Sequence, residues 1–276
     1  MSRRRPLYGL AALALGAALS LTACSGGGSA EGTASPSVTA PVVTAAAQPA
    51  ALTKDSFVTR IAAAEKDTKT MRMDVSMVVA GHKITMKSTV DGRDPAKPTL
   101  DETVDVPGQT SFDVRAVDGA VFLNYGALSK NKWIKIDPKD KSNPLASQFS
   151  GLLDGADPAQ QLEAMKGAIL SVEKEGEPAT LDGSEVQQYV VSVDTSKVGA
   201  ALTKQLQSGA AALPDHLTYT YWIGTDDDLP RKAVADVAGV KMTMTFSHWG
   251  EPVTITAPSK DDILPGGLED LAALQS

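Results

Sequence analysis

Met71-Arg72-Met73-Asp74-Val75-Ser76-Met77-Val78-Val79 is the stretch on which the fold turns. Apolar side chains at Met71, Met73, Val75, Met77 and Val79 alternate with Arg72, Asp74, Ser76 and Val78. A period of 2 puts one apolar and one largely polar face on a β-strand. Immediately upstream the period is 3.6. Thr53 is a good N-cap, Leu52 and Phe57 are spaced for a hydrophobic staple, and Phe57, Ile61 and Ala64 share a face, which predicts a helix over 54–67.

Downstream, Ala80-Gly81 turns the chain, and Ile84, Met86 and Val90 resume the alternation. Strands are predicted at 99–106 (Leu100, Val104, Val106), 111–117 (Phe112, Val114), 120–125 (Val121, Leu123, Tyr125) and 133–136. Asp118-Gly119 is a two-residue hairpin signal. The pattern then becomes helical at 144–153, and again after Asp157-Pro158, where Leu162, Met165 and Ile169 form a stripe. Strands return around 170–175 and at 186–193, followed by a third helix at 195–208 with Val198, Ala201, Leu202 and Leu206 on one side. The last strands are expected at 217–223, 231–238 and 240–247 (Val240, Met242, Met244, Phe246), with Asp226-Asp227-Asp228 in a solvated turn and Val253-Thr254-Ile255 closing the sheet. Short connections and regular alternation describe an antiparallel meander. The result is one α+β domain over 53–263, with about ten strands and three helical segments, and a loose tail at 264–276.

The amino terminus carries a different signal. Arg3-Arg4-Arg5 precede an apolar run from Leu7 to Leu21, and Leu21-Thr22-Ala23-Cys24 follows. A basic head, an apolar segment too short to span a bilayer and small residues before the cut predict a secretory signal peptide over 1–23. Cys24 is the single cysteine of the chain. Leu21-Thr22-Ala23-Cys24 resembles the bacterial lipobox, which implies a diacylglycerol on the Cys24 thiol and cleavage just before it. The expected place is the outer face of the cell membrane, reached by the Sec route; Arg3-Arg4-Arg5 also loosely resembles a twin-arginine signal, which stays open as the alternative. Residues 25–51 are Gly, Ser, Ala, Thr and Pro-rich with Glu31 as the one charge, so 24–52 reads as a lipidated Cys and flexible tether.

The full chain has 26 basic and 33 acidic residues, net −7; loss of the three arginines before Cys24 takes the net charge to −10. Such a surface argues against nucleic acid and against anionic headgroups as electrostatic partners, so anchoring falls to the acyl chains. A single cysteine forbids an internal disulfide. A monomer is expected. His82, His216 and His248 each adjoin a strand end or turn, with no second His or Cys at ligand spacing. The nucleophile elbow, the phosphate loop and the zincin motif are all absent from the sequence. Neither an enzyme, a metal nor a cofactor is expected. The unusual feature is methionine, since Met73, Met77, Met86, Met242 and Met244 sit on apolar strand faces where β-branched residues are the norm. Flexible thioethers suit either ordinary core filling or a surface that accommodates changing apolar shapes.

Residues 53–263 resemble the actinobacterial LppX/LprAFG lipoproteins, whose fold is similar to that of the LolA/LolB carriers. The resemblance rests on the signal-lipobox-tether layout and on Lys132-Trp133-Ile134-Lys135-Ile136-Asp137 with the helical segment after it. It rests also on Tyr189-Val190-Val191-Ser192-Val193-Asp194, on Tyr221-Trp222-Ile223-Gly224 with Leu229-Pro230-Arg231, and on Trp249-Gly250-Glu251-Pro252-Val253-Thr254-Ile255. It implies a curved antiparallel half-barrel covered on its concave face by helices, with a hydrophobic cavity for the acyl chains of a lipid or glycolipid. The candidates to line such a cavity are Met73, Val75, Met77, Ile84, Met86, Val104, Phe112, Val114, Leu162, Tyr189, Met242, Met244 and Phe246. The function implied is lipid binding and transport from a membrane anchor. The alternative is a cell-envelope scaffold or signalling partner with a filled core.

Overall fold

The computed structural model describes residues 50–79, 81–94, 97–108, 111–140, 162–163, 165–198, 214–237 and 239–267. The signal peptide, Cys24, most of the tether, the predicted helix at 144–153, Asp157-Pro158, most of the helix at 195–208 and the end of the tail lie outside the described residues.

Helix α1 spans Lys54–Thr68. Thr53 is extended at its start, its amide donates to Ser56 Oγ (2.9 Å) and its carbonyl accepts from Phe57 N (2.8 Å). Lys69, left-handed at φ 65°, ends the helix with its N–H on Glu65 O. Phe57, Val58, Ile61 and Ala62 are buried. The buried stripe is therefore turned by about one position from the predicted one, and Ala64 lies at its margin.

The strands are β1 (Thr70–Val79), β2 (His82–Asp91), β3 (Thr99–Asp105), β4 (Phe112–Val117), β5 (Ala120–Asn124), β6 (Trp133–Ile136), β7 (Ile169–Leu181), β8 (Ser184–Asp194), β9 (His216–Gly224), β10 (Pro230–Val237) and β11 (Val240–Ser247). They form one open sheet in the order β6-β5-β4-β3-β2-β1-β11-β10-β9-β8-β7, every pair antiparallel. Two meanders meet at the centre. One runs outward from β1 to β6; the other starts at the far edge with β7 and runs inward until β11 pairs with β1. Eleven twisted strands cannot remain flat, and the sheet curves into a half-barrel.

Two hairpins share one chemistry. Asp118 and Gly119 (φ 53° and 75°) join β4 to β5, and Asp182 and Gly183 (φ 48° and 82°) join β7 to β8. Both central residues of each turn are left-handed, as a two-residue loop matched to strand twist requires.

Three expectations are corrected. Ile169 belongs to β7 and not to the helix ahead of it; among the described residues the helical register ends in a 3-10 turn at Lys166–Ala168. The described start of the predicted helix at 195–208 is a 3-10 turn, Thr195–Lys197, with the Asp194 carboxylate accepting the Ser196 amide (3.0 Å) and Val198 extended after it. Finally, 253–255 is not a strand: β11 has β1 and β10 on its two sides, and the chain after it takes no place in the sheet. That segment instead gives its carbonyls to guanidinium groups, with Arg93 Nη2 on Val253 O (2.7 Å) and Arg115 Nη1 on Thr256 O (3.1 Å). It leads to the edge strand β6, where Ile263 bridges Trp133 in parallel and Leu264 N donates to Trp133 O (2.8 Å).

Candidate functional site

The pleat puts alternate residues of every strand on one face, and unshifted pairing from β11 through β1 to β5 aligns them into cross-strand rows. Met242, Met77 and Ile84 form the first row. Met244, Val75, Met86, Val104 and Phe112 form the second, and Phe246, Met73, Ser88, Glu102, Val114 and Leu123 the third. Met71, Val90, Leu100, Ala116, Val121 and Ile136 make a fourth.

Burial changes along this series. Every member of the fourth row is buried, in a core with Ile134 and Leu123. In the first three rows Met73, Met77, Ile84, Met86, Phe112, Met242, Met244 and Phe246 are only half-buried, while Val75, Val104 and Val114 are buried among them. On the other side Met242 and Met244 pair with Ala235 and Ala233, whose methyl groups leave the thioethers room to lie over them. Phe246 stacks on Trp249 (centroids 6.3 Å apart), and the Trp249 Nε1–H is held by Pro230 O (3.0 Å).

The second meander carries the same face beneath α1. Phe57 meets Tyr189 and Tyr221 edge-on, at 6.5 Å and 5.4 Å, and Ile61, Val191, Val193, Leu217, Tyr219 and Ile223 close the core around it. Burial pushes the phenols of Tyr219 and Tyr221 up, so both stay neutral. Three predicted cavity residues attach to this core: Tyr189 belongs to it, Leu162 packs against it, and so does Met242 from the end of the first row. The Tyr189 hydroxyl accepts the Leu52 amide (3.0 Å), and its ring is covered by Phe57.

The acidic turn is also different from expectation. Asp226 is exposed, but Asp227 accepts Arg231 Nη2 and Leu229 N, and Asp228 takes both Arg60 Nε (2.8 Å) and Nη2 (2.6 Å). A forked guanidinium-carboxylate pair thus ties α1 to the β9-β10 turn. His82, His216 and His248 are exposed. Among the described residues no cluster of His, Cys, Asp and Glu is placed to hold a metal, and no helix is long and apolar enough to cross a membrane.

Sequence reasoning missed Glu102. It lies between Leu100 and Val104 at the same pleat parity, so it shares the apolar face, and Ser88 Oγ donates to its Oε2 (2.7 Å). The alternation Leu100-x-Glu102-x-Val104 was the available signal.

The sequence matches no protein-family profile and no curated protein. Solved structures do match. LprF from Mycobacterium bovis is 15% identical, with 75% of this chain and 97% of that one covered at a TM-score of 0.54. The Mycobacterium tuberculosis lipoprotein LppX is 16% identical, with 73% and 99% covered at a TM-score of 0.50. Identity at this level speaks for shared architecture alone: the chain has the fold of LprF and of the lipoprotein LppX.

Proposed function

We propose that this chain is a lipoprotein of the LppX/LprAFG type, held on the outer face of the cell membrane through Cys24, which binds an acyl-chain lipid or glycolipid and carries it. It works by burying apolar surface, not by catalysis. The observation that supports this reading most is the half-burial of eight apolar side chains in three contiguous rows, beside the buried cores at either end of the sheet. Each Å² of apolar surface removed from water contributes about 25 cal/mol, so part of one acyl chain along these rows suffices for binding.

Met244→Trp tests it, because Met244 lies mid-face between Val75 and Ala233. Over an accommodating surface the indole fills ligand space. Stability in denaturant should then change by less than about 1 kcal/mol, while binding of an uncharged fluorescent acyl ester is lost; in a close-packed core the same change costs about 1–3 kcal/mol. No ester binding by the wild type, together with a destabilised variant, favours a filled scaffold and overturns the carrier reading. Anchoring is tested separately. Metabolic labelling with a fatty-acid analogue should mark the wild type and miss Cys24→Ala; equal labelling of both removes the anchor.

A further inference from the structure

Glu102 is out of place on the face that holds it. Leu100 and Val104 flank it along β3, and Ser88 and Val114 stand directly across from it on β2 and β4. Phe246 and Met73 continue its row toward β11. The pairing carries no bulge on either side of β3, so no slip of register turns the carboxylate outward. It is the one carboxylate of the three rows.

Its only hydrogen-bond partner among the described residues is Ser88 Oγ, and no ion pair of the described residues involves it. On the other face of the same strand Asp101 has a cation, Arg115 at 2.8 Å, whereas Asp105 takes a serine hydroxyl as Glu102 does, that of Ser111, but at an exposed position. Ser88 is itself buried, at 4% exposure. The pair is thus a small polar site set in an apolar surface, with one carboxylate oxygen occupied and the other left as an acceptor. A carboxylate in apolar surroundings is costly unless a donor meets it.

We propose that Ser88 and Glu102 hold the polar end of the ligand, and that this end carries a hydrogen-bond donor, a hydroxyl or an ammonium, rather than an anion. The proposal rests on the acyl-binding reading above and adds the headgroup chemistry to it. An ionised fatty acid or a phosphate monoester would set one negative charge against another at this half-buried carboxylate. A hydroxylated amphiphile or an amine instead donates to the open Glu102 oxygen, while its chain lies along Met73, Phe246 and the methionine rows.

The test is displacement of the same uncharged acyl ester from the full chain by four probes of one chain length: hexadecane, hexadecanol, hexadecylamine and hexadecanoate. Wild type should bind the alcohol and the amine about tenfold or more tighter than hexadecanoate, the range of one hydrogen bond to a charged group. Glu102→Gln keeps an acceptor for Ser88 and should retain the alcohol while losing the advantage of the amine. Glu102→Leu should bring alcohol, amine and alkane together. Equal binding of alcohol, amine and carboxylate by the wild type, or an unchanged ranking in both variants, overturns the headgroup assignment and leaves the acyl-binding reading standing. Failure of every probe and of the ester in the wild type overturns both.

Discussion

The apolar face of this sheet is treated in two ways. Beneath α1 it is closed: Phe57, Val191, Val193, Leu217 and Ile223 are almost wholly removed from water. At the junction of β2, β1 and β11 the same pleat presents Met73, Met77, Met86, Met242 and Met244, all half-buried. Residue type follows the difference in part, for five of the eight half-buried side chains are methionines and the other three are Ile84, Phe112 and Phe246. Branched and aromatic side chains have few rotamers and reward one fixed packing, whereas a thioether has three rotatable bonds and tolerates several. An apolar face is therefore not by itself a core; whether it is closed depends on what crosses it.

The largest expected effect sits on the closed side. Phe57→Ala removes a fully buried ring against Tyr189 and Tyr221 and should cost about 3–5 kcal/mol in denaturant unfolding. Met77→Ala, on the open side, should cost about 1 kcal/mol because its side chain is already partly in water. Comparable losses at the two sites would erase the contrast.

A smaller effect is expected where α1 is fastened to the second meander. Arg60→Ala should cost about 1–2 kcal/mol, the range for a forked, partly buried pair discounted for the solvent that still reaches it. A double-mutant cycle with Asp228→Ala should recover most of that loss as coupling energy. Additive single losses would show that α1 is held by Phe57 and its neighbours alone.

The smallest effect concerns pH at the end of β2. The hydrogen bonds from the Arg93 guanidinium to Asp91 (2.6 Å and 2.9 Å) hold the Asp91 carboxyl below the usual carboxylate range. A depressed folded-state pKa contributes stability above the ordinary carboxylate pKa, and this is lost as pH falls through the folded value. Asp91→Asn should flatten the acid limb of the stability profile slightly while leaving the methionine rows untouched. A profile identical to that of wild type would show that Arg93 is held by Val253 O instead.

Much of this was legible in the residues because it is local. Thr53 and Ser56 cap α1 from within one turn, and Asp118-Gly119 makes its hairpin by its own backbone preferences. The alternation in β1 declares which side chains share a face before any partner is known. Glu102 was readable on the same terms, since parity alone assigns it to the apolar side, and so was the turn at Asp182-Gly183.

Other features were decided only in three dimensions. That β11 returns to pair with β1, with Met244 opposite Val75, depends on strands far apart in the chain, and a strand's local chemistry is the same whichever neighbour it takes. Arg60 meets Asp228 across 168 residues, so three consecutive aspartates read as a solvated turn until α1 docks there. The methionines announced an apolar face, yet their half-burial shows only once the strands are paired and the rows assembled. Sequence sets what each residue can bury; only the assembled sheet settles what is left uncovered.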